Sequence, residues 1–227
     1  MVKIEVKYVI QIQNCIEKIY SKKSLKTFEQ YLDNSKNNKL INRKYEQLAY
    51  EYSLRNAINL KNHQKIMKLA DELLSISTSE KEKQALTIFV AEIYSDFSDY
   101  VNAIKLLQPY EKEFSEKNLN ALYTLATIYE KNEDFENAHR LYSSIYKKFS
   151  KDNYGIQSLF RQAQLYYSNK DFKNAEDCFY EFIYKYPNDE NLVSAMYYCS
   201  ECYLKNGKKQ NALMMCNTIV SSFPYSA

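Results

Sequence analysis

Glycine, proline, histidine and tryptophan are scarce in this chain. Its 227 residues include 2 Gly, 3 Pro, 2 His and no Trp, whereas Tyr reaches 23. Sheet proteins with many tight turns need glycine and proline at their corners, so this composition favours long helices joined by short connections. Two histidines and two glycines are too few for most catalytic constellations and for a glycine-rich phosphate loop. We therefore predict that the protein is not an enzyme and uses no cofactor.

Clustered positive charge is also missing from most of the chain. Residues 1–60 hold 11 Lys and Arg against 6 Asp and Glu, a net charge of +5, whereas residues 61–227 hold 20 against 22, a net charge of −2. Binding to a nucleic-acid backbone needs clustered cations. We expect no nucleic-acid partner, and an RNA-binding helical repeat is the least favoured alternative.

Long apolar runs are absent as well. No stretch approaches the roughly 18 to 20 apolar residues of a membrane helix, so we expect no membrane span. The start, MVKIEVKYVIQIQ, lacks the apolar core and small-residue cleavage site of a secretory signal. We expect a cytoplasmic protein if Met1 is the native start, and a periplasmic or envelope-associated protein if a signal or anchor was removed.

One pentamer recurs four times at nearly constant spacing. The copies DYVNA, DFENA, DFKNA and KKQNA end at alanines 35, 37 and 37 residues apart, namely Ala103, Ala138, Ala175 and Ala212. Nine residues before each alanine stands a tyrosine: Tyr94, Tyr129, Tyr166 and Tyr203. Twelve residues before each alanine stands a small residue: Ala91, Ala126, Ala163 and Ser200. The apolar offsets are three and four, so each pentamer marks the junction of two amphipathic helices.

The junctions carry signals for the ends of helices. The aspartate of the pentamer suits an N-cap, because its carboxylate accepts hydrogen bonds from free backbone N–H groups of the second helix. In the last copy Gly207 precedes that helix, where a left-handed residue would close the first helix. Pro187 and Pro224 are expected to end the second helix of their units.

One helix pair cannot bury its own apolar face, so the units must stack into a continuous core. Over residues 81–227 the pattern resembles the tetratricopeptide repeat. The resemblance implies an all-α fold, a right-handed superhelical solenoid of antiparallel helix pairs. Four units are predicted at about 84–115, 119–150, 156–187 and 193–224.

The remaining residues fit the repeat less well. We predict a degenerate unit at 45–80, in which Ile66 takes the place of the signature alanine. Residues 1–44 are predicted to form a divergent helical cap, although residues 1–12 alternate like a strand and their structure stays open. The lengthened links YPND and FPYS are similar to those of bacterial envelope repeats, such as the Tol–Pal-associated periplasmic factor and the outer-membrane assembly lipoproteins.

In the tetratricopeptide family the first helices of the units line a concave groove that binds extended peptides or partner helices. By resemblance, the columns beside the core face this groove. The predicted partner-binding residues are Ile88, Glu92, Tyr123, Thr127, Phe160, Arg161, Gln164, Tyr197, Tyr198 and Glu201. Rigid aromatics with polar rims are typical anchors of recognition surfaces. The alternative is that this aromatic ladder is part of the core.

The family's best-known device is a clamp of Lys, Asn and Arg that grips a C-terminal carboxylate. The matching columns here hold Tyr123 and Thr127, with Arg161 as the only cation, so the clamp is not reproduced. We expect a protein or peptide partner with apolar or aromatic anchors and with basic residues near Glu92 and Glu201.

The cysteines and histidines give weaker signals. Cys199 and Cys202 lie three apart in the segment CSEC, a spacing that redox or metal pairs share. A structural zinc site needs four ligands, and Cys199 and Cys216 fall in core columns. We expect structural cysteines, no metal site, and His63 and His139 on the surface.

These observations predict a non-enzymatic scaffold for protein–protein interaction. The alternative is a structural subunit that forms a homo-oligomer, or docks into a larger envelope-associated complex, through its ends.

Overall fold

The computed structural model describes residues 22–37, 43–59, 63–76 and 80–223, which form helices joined by short turns without a strand. The predicted all-α class of packed helix pairs is confirmed. The structure of residues 1–12, which the sequence leaves open, lies outside the described residues, and so do Cys15 and Pro224. The chain divides into two compact units, Met1–Leu106 and Leu107–Ala227.

The first unit is built from helices that enclose their own core. They are α1 (Lys22–Asn37), α2 (Arg43–Asn59), α3 (His63–Ile76) and α4 (Glu80–Asp96), followed by α5 (Tyr100–Leu107) at the boundary. Phe28 of α1 stacks on Tyr52 of α2 with 5.5 Å between ring centroids. Ile66, which replaces the signature alanine, is fully buried. The hydroxyl of Tyr94 donates to Asp71 at 3.1 Å and ties α4 to α3.

The second unit contains three regular helix pairs after two short helices. The short helices are the 3-10 helix η1 (Gln108–Tyr110) and α6 (Glu111–Lys117). The pairs are α7 (Leu119–Lys131) with α8 (Phe135–Phe149), α9 (Asn153–Ser168) with α10 (Phe172–Lys185), and α11 (Leu192–Lys205) with α12 (Lys209–Ser222). From α7 onward each helix packs against the next one along the chain.

The segment after Ala103 differs from the single second helix that the repeat pattern indicates. The chain leaves α5 at Leu107, passes through η1 and resumes as α6. Pro109 stands at the start of η1. Proline has no N–H to donate, and its ring collides with the carbonyl four residues earlier. The proline therefore divides this helix into three pieces.

The small columns of the repeat are the places where helices cross. Ala138 and Ala175 are fully buried, and so are Ala126 and Ala163 in the first helices. Side chains without atoms beyond Cβ let two helix backbones approach closely and fill the space at native packing density.

The four junctions that carry the repeated pentamer have the same backbone turn. Its last residue has a positive φ: 61° at Ser98, 59° at Glu133, 62° at Lys170 and 78° at Gly207. The next residue donates its N–H to the carbonyl of the repeated tyrosine, for example Asp171 to Tyr166 at 2.9 Å. This is the bond that closes a helix with a left-handed residue. The prediction for Gly207 is confirmed, and three other residues adopt the same conformation without being glycine.

The predicted N-caps are confirmed at three junctions. The carboxylate of Asp134 accepts from the N–H of Asn137, that of Asp171 from the N–H of Asn174, and that of Asp99 from the N–H of Asn102. At the last junction the cap residue is Lys208, which makes no side-chain cap bond. Its Nζ instead donates to the buried Glu176 at 2.6 Å.

The other glycine and a proline have separate roles. A Cβ at Gly155 would collide with the carbonyl oxygen of Phe149, so the first turn of α9 can approach the end of α8 only with glycine there. Helix α10 ends at Lys185, two residues before Pro187, as the sequence predicts.

Candidate functional site

The ten predicted partner-binding residues lie on four first helices. Ile88 and Glu92 lie on α4 in the first unit. The other eight lie in the second unit: Tyr123 and Thr127 on α7, Phe160, Arg161 and Gln164 on α9, and Tyr197, Tyr198 and Glu201 on α11.

In the first unit the predicted pair separates into a core residue and a surface residue. Ile88 is 8% exposed and packs inside the unit, so the expectation that it lines an open surface is corrected. Glu92 is exposed. Partial desolvation and the carboxylate of Asp96, one turn further on, raise the pKa of Glu92. Helix α4 therefore presents paired acidic groups to solvent.

In the second unit the aromatic ladder is also divided. Phe160 is 6% exposed, and its ring lies 5.9 Å from that of Phe179 and 5.3 Å from that of Phe182. Both partners belong to α10, so Phe160 joins the core of its own helix pair. The alternative reading, that the ladder is core, holds for Phe160 and Ile88. Tyr197 is 54% exposed, and Tyr123 is half-buried.

A first group of side chains joins α7 to α9, and we call it the Arg161 cluster. It consists of Tyr123, Glu130, Tyr142, Tyr154 and Arg161. The ring of Tyr123 lies 5.6 Å from Tyr142 and 5.2 Å from Tyr154. The hydroxyl of Tyr142 donates to Glu130 at 2.7 Å, and a guanidinium nitrogen of Arg161 lies 3.8 Å from the same carboxylate.

The electrostatics of the Arg161 cluster follow from this geometry. Burial, and then the Glu130 carboxylate, hold the pKa of Tyr142 far above its ordinary value. Burial also raises the pKa of Tyr123, and the neighbouring Arg161 opposes that shift. Both phenols stay protonated at neutral pH. Arg161 and Glu130 carry the cluster's charge, and they offset each other.

A second group joins α9, α10 and α11, and we call it the Tyr198 cluster. It consists of Tyr167, Phe172, Phe179, Tyr197 and Tyr198. Tyr198 stacks on Phe179 with 5.5 Å between centroids and 13° between planes. Tyr198 also forms T-shaped pairs with Tyr167 and Tyr197, with ring centroids 5.2 and 5.5 Å apart. Edge-to-face and stacked pairs of this kind hold rings in fixed orientations, so Tyr197 is an exposed ring on a rigid base.

The polar residues of the predicted site have different surroundings. Thr127 donates its hydroxyl to the carbonyl of Thr124 in its own helix at 2.7 Å. Gln164 accepts from Arg161 at 3.3 Å, and Glu201 is half-buried on α11. Of these three, Glu201 lies beside the exposed aromatic surface of α11.

Sequence reasoning missed a recurrent polar contact between successive first helices. Tyr154 donates to Asn120 at 2.8 Å, and Asn191, 37 residues after Tyr154, donates to Gln157 at 3.3 Å. The donors stand 21 residues before the repeated alanine of their unit, and the acceptors stand 18 residues before the alanine of theirs. These columns hold no common residue type, because several polar pairs can make the same bridge.

His139, which the sequence places on the surface, is half-buried there and hydrogen-bonded. Its ring is half-buried, with Nε2 2.7 Å from the hydroxyl of Tyr166 and Nδ1 3.2 Å from Nε2 of Gln162. Both ring nitrogens therefore have a hydrogen-bonding partner, and the tautomer of the neutral ring sets which nitrogen donates. Burial and the charge of Lys147 lower the pKa of His139. The neutral ring therefore serves as a link between α8 and α9.

The cysteines divide in an unexpected way. Cys199 and Cys202 are buried, and burial raises the pKa of each to about 12. They pack in the core of the last two helix pairs, in agreement with a structural role. Cys216 falls in the predicted core column that also holds Tyr142 and Phe179. It is exposed instead, because among the described residues no helix follows α12 to cover it.

A shallow open pocket of about 640 Å³ lies on α8, away from the predicted residues. It is lined by His139, Arg140, Ser143, Ser144, Lys147 and Lys148. Arg140 is already held by Glu111 through two hydrogen bonds of 2.6 and 3.0 Å. Because this pocket is shallow and holds none of the paired aromatics, we place the candidate site on the first helices. Within the described part of the chain, no helix combines the length and apolarity that crossing a membrane requires.

Comparisons with known proteins agree with this architecture. Residues 157–189 and 194–226 each match the model of the tetratricopeptide repeat. No curated protein matches the chain in sequence.

Several solved structures share the fold at low sequence identity. The tetratricopeptide-like repeats of a putative kinesin light chain from Podosopora anserina are 14% identical, with a TM-score of 0.63 over 80% of this chain and 98% of that one. BtubC (BKLC) from P. vanneervenii is 13% identical, with a TM-score of 0.64 over 97% and 93%. YrrB, described as a tetratricopeptide repeat protein with an unusual peptide-binding site, is 14% identical, with a TM-score of 0.57 over 88% and 93%. The chain thus has the fold of tetratricopeptide-repeat proteins, and its last two helix pairs match the repeat itself.

Proposed function

We propose that this protein is a non-enzymatic scaffold that binds an extended peptide or a helix of a partner protein along α7, α9 and α11. One observation carries the proposal: Tyr197 is an exposed aromatic ring fixed by Tyr198, which in turn is stacked on Phe179. A ring that is already immobile loses little conformational entropy when a ligand covers it. Exposed tyrosines of this kind are typical hot spots of protein interfaces.

The chemistry of the surface favours a ligand with apolar or aromatic anchors. The rings of Tyr197 and Tyr198 offer the apolar contact, and Glu201 on the same helix offers a partner for a lysine or arginine. Arg161 is 45% exposed, but Glu130 and Gln164 already engage its guanidinium. A ligand carboxylate would have to compete with Glu130, so the surface favours basic over acidic peptides.

Two comparisons support peptide binding. The repeat that residues 157–189 and 194–226 match is a scaffold for protein interaction in its family. YrrB, which shares the fold, is described as having a peptide-binding site. The resemblance of the links to those of bacterial envelope repeats extends the proposal to a partner in an envelope-associated complex.

A peptide selection would test the proposal without knowledge of the natural partner. A random dodecamer phage library is selected on the immobilised full chain, and the enriched peptides are synthesised with a fluorescent label. We expect enriched sequences to combine aromatic residues with Lys or Arg. Anisotropy should show at least about tenfold weaker binding to Tyr197→Ser, because truncating a hot-spot aromatic costs on the order of 2 kcal/mol.

The matched control is Tyr184→Ser. Tyr184 is 78% exposed but lies on α10, a second helix. It should leave the affinity unchanged. Circular dichroism of both variants establishes that each is folded. If the enriched peptides bind Tyr197→Ser as tightly as the wild type, or if selection enriches no sequence, the first helices are not the binding surface.

A further inference from the structure

Helix α12 carries a concentration of exposed apolar side chains. Leu213 is 63% exposed, Met214 71% and Val220 72%, and Cys216 between them is exposed as well. Leu213, Cys216 and Val220 share one side of the helix, and we call these three residues the α12 face, whereas Met214 lies about 100° around the helix from Leu213. On the adjacent helix α11, Leu204 is 48% exposed. Apolar side chains gathered in this way mark interaction surfaces, whereas scattered ones do not.

The same positions of the preceding second helices contact the helix pair that follows. One residue after the repeated alanine, His139 bonds to Gln162 and Tyr166 of α9, and Glu176 accepts from Asn206 and Lys208. Leu213 holds this place in α12. The α12 face is therefore continuous with the interface that joins successive pairs in the second unit.

Two further columns show the same relationship. Tyr146, eight residues after its alanine, donates to Glu181 of α10 at 2.7 Å, and Val220 holds that place in α12. Phe179, four residues after its alanine, stacks on Tyr198 of α11, and Cys216 holds that place in α12. In the first column α12 has the aliphatic Leu213 where α8 and α10 have hydrogen-bonding groups. In the second column Val220 follows Ile183 of α10, which is aliphatic already.

The composition of α12 suits contact with an identical helix. No charged residue occurs from Gln210 to Ser222, so bringing two copies together creates no like-charge repulsion and desolvates no ion. By contrast α8 and α10 carry both acidic and basic residues. A two-fold interface requires one surface to complement itself, and the stretch from Gln210 to Ser222, which holds no charged residue, meets this condition.

The spacing of the α12 face supplies the register. Leu213, Cys216 and Val220 are three and four residues apart, the period of a helix seam. In an antiparallel pair centred on Cys216 and Asn217, Leu213 of each copy packs against Val220 of the other. The two Cys216 side chains then lie close to the two-fold axis.

We propose that two copies of this chain associate through the α12 face, with their α12 helices antiparallel. A standard interface buries about 800 Å² on each partner. The α12 face forms its apolar centre, and the neighbouring polar residues of α12 form its rim. This surface is separate from the tyrosines of the proposed peptide site, so either proposal can fail without the other.

Sedimentation equilibrium of the full chain tests the proposal. We expect a monomer–dimer equilibrium in the wild type. Leu213→Glu and Val220→Glu should each weaken dimerisation by at least about tenfold, because each places a charge in the centre of the interface. Tyr184→Glu is the matched control, since it adds the same charge to an exposed apolar position on α10, and it should leave the equilibrium unchanged.

A crosslinking experiment tests the register in a Cys15→Ser background. A short bismaleimide should join two chains through Cys216, because burial raises the pKa of Cys178, Cys199 and Cys202 to about 12 and keeps these thiols slow to react. Cys216→Ser should abolish the product. The proposal is overturned if the wild type stays monomeric into the millimolar range, or if dimers form that neither glutamate weakens and Cys216 does not crosslink.

Discussion

Asn174 holds both oxygens of the Asp171 carboxylate. Its backbone N–H donates to one oxygen at 3.3 Å, and its side-chain amide donates to the other at 2.7 Å. Asn137 donates the same two hydrogen bonds to Asp134, at 3.2 and 2.8 Å. The recurring letters D and N of the pentamer are therefore one device, which starts the second helix of a pair and keeps its cap from rotating.

Removing this cap should destabilise the protein. Asp171→Ala leaves backbone N–H groups at the start of α10 without their acceptor, and we expect a loss of about 1–2 kcal/mol in the free energy of unfolding. Urea denaturation followed by circular dichroism measures it. Lys173→Ala, an exposed change in the same turn, is the control. Equal midpoints for the two variants would contradict a capping role for Asp171.

The left-handed junction residues predict stabilising and destabilising substitutions. Lys170 has a φ of 62°, which costs a residue with a Cβ about 1 kcal/mol. Lys170→Gly should raise the unfolding free energy by up to that amount, and Gly207→Ala should lower it by a similar amount, since φ is 78° there and the space around it is open.

Gly155 provides the contrast, because its constraint is steric. Gly155→Ala places a Cβ against the carbonyl of Phe149, so the α8–α9 junction must shift. We expect a loss of more than about 1 kcal/mol, in the range of overpacked sites, and larger than the loss for Gly207→Ala. Urea midpoints of the two variants decide this, and the reverse order would show that the junction adapts freely.

Phe160 and Tyr197 share a column but should respond differently to truncation. Phe160→Ala removes a buried ring that packs on Phe179 and Phe182, and we expect it to cost about 3–5 kcal/mol. Tyr197 is 54% exposed, so Tyr197→Ala should cost about 1 kcal/mol or less. Thermal unfolding of both variants measures the contrast. A similar loss in the two would place Tyr197 in the core.

His139 predicts a fall in stability on acidification. Its folded pKa lies below the ordinary value of 6.5 because of burial and Lys147, so the unfolded chain binds a proton first. The contribution is present in full above pH 6.5 and is lost as the pH falls from there through the folded pKa.

Urea denaturation at several pH values checks this, with His139→Gln as the comparison. The wild type should lose more of its unfolding free energy below pH 6.5 than the variant does. A parallel decline in the two proteins would show that other groups dominate the pH dependence.

Much of the fold followed from the sequence because its signals are local and repeated. The N-cap aspartates, the left-handed Gly207 and the end of α10 before Pro187 depend on backbone groups within a few residues. The buried alanines were visible because four copies kept the same columns. Pro109 is a local signal for a helix break, and the repeat pattern obscures it. The columns of the repeat continue through residue 109, but the helix does not.

The candidate site was less accessible from sequence. Column position alone placed Ile88, Phe160 and Tyr197 in one ladder, but only Tyr197 is largely exposed, since Phe160 meets two phenylalanines of α10. The links between helices, such as His139 with Tyr166 and Tyr154 with Asn120, use residue types that change from unit to unit.

The sequence by itself determined where the helices begin and end and which residues lie at their crossings, because backbone capping and helical period act over a single turn or a single pair. The tertiary structure decided which members of a column are covered. Phe179 is buried because Tyr198 stacks on it, whereas Cys216 in the same column is exposed on α12. Burial depends on the neighbour that packs against a residue, and no pattern within one unit records that neighbour.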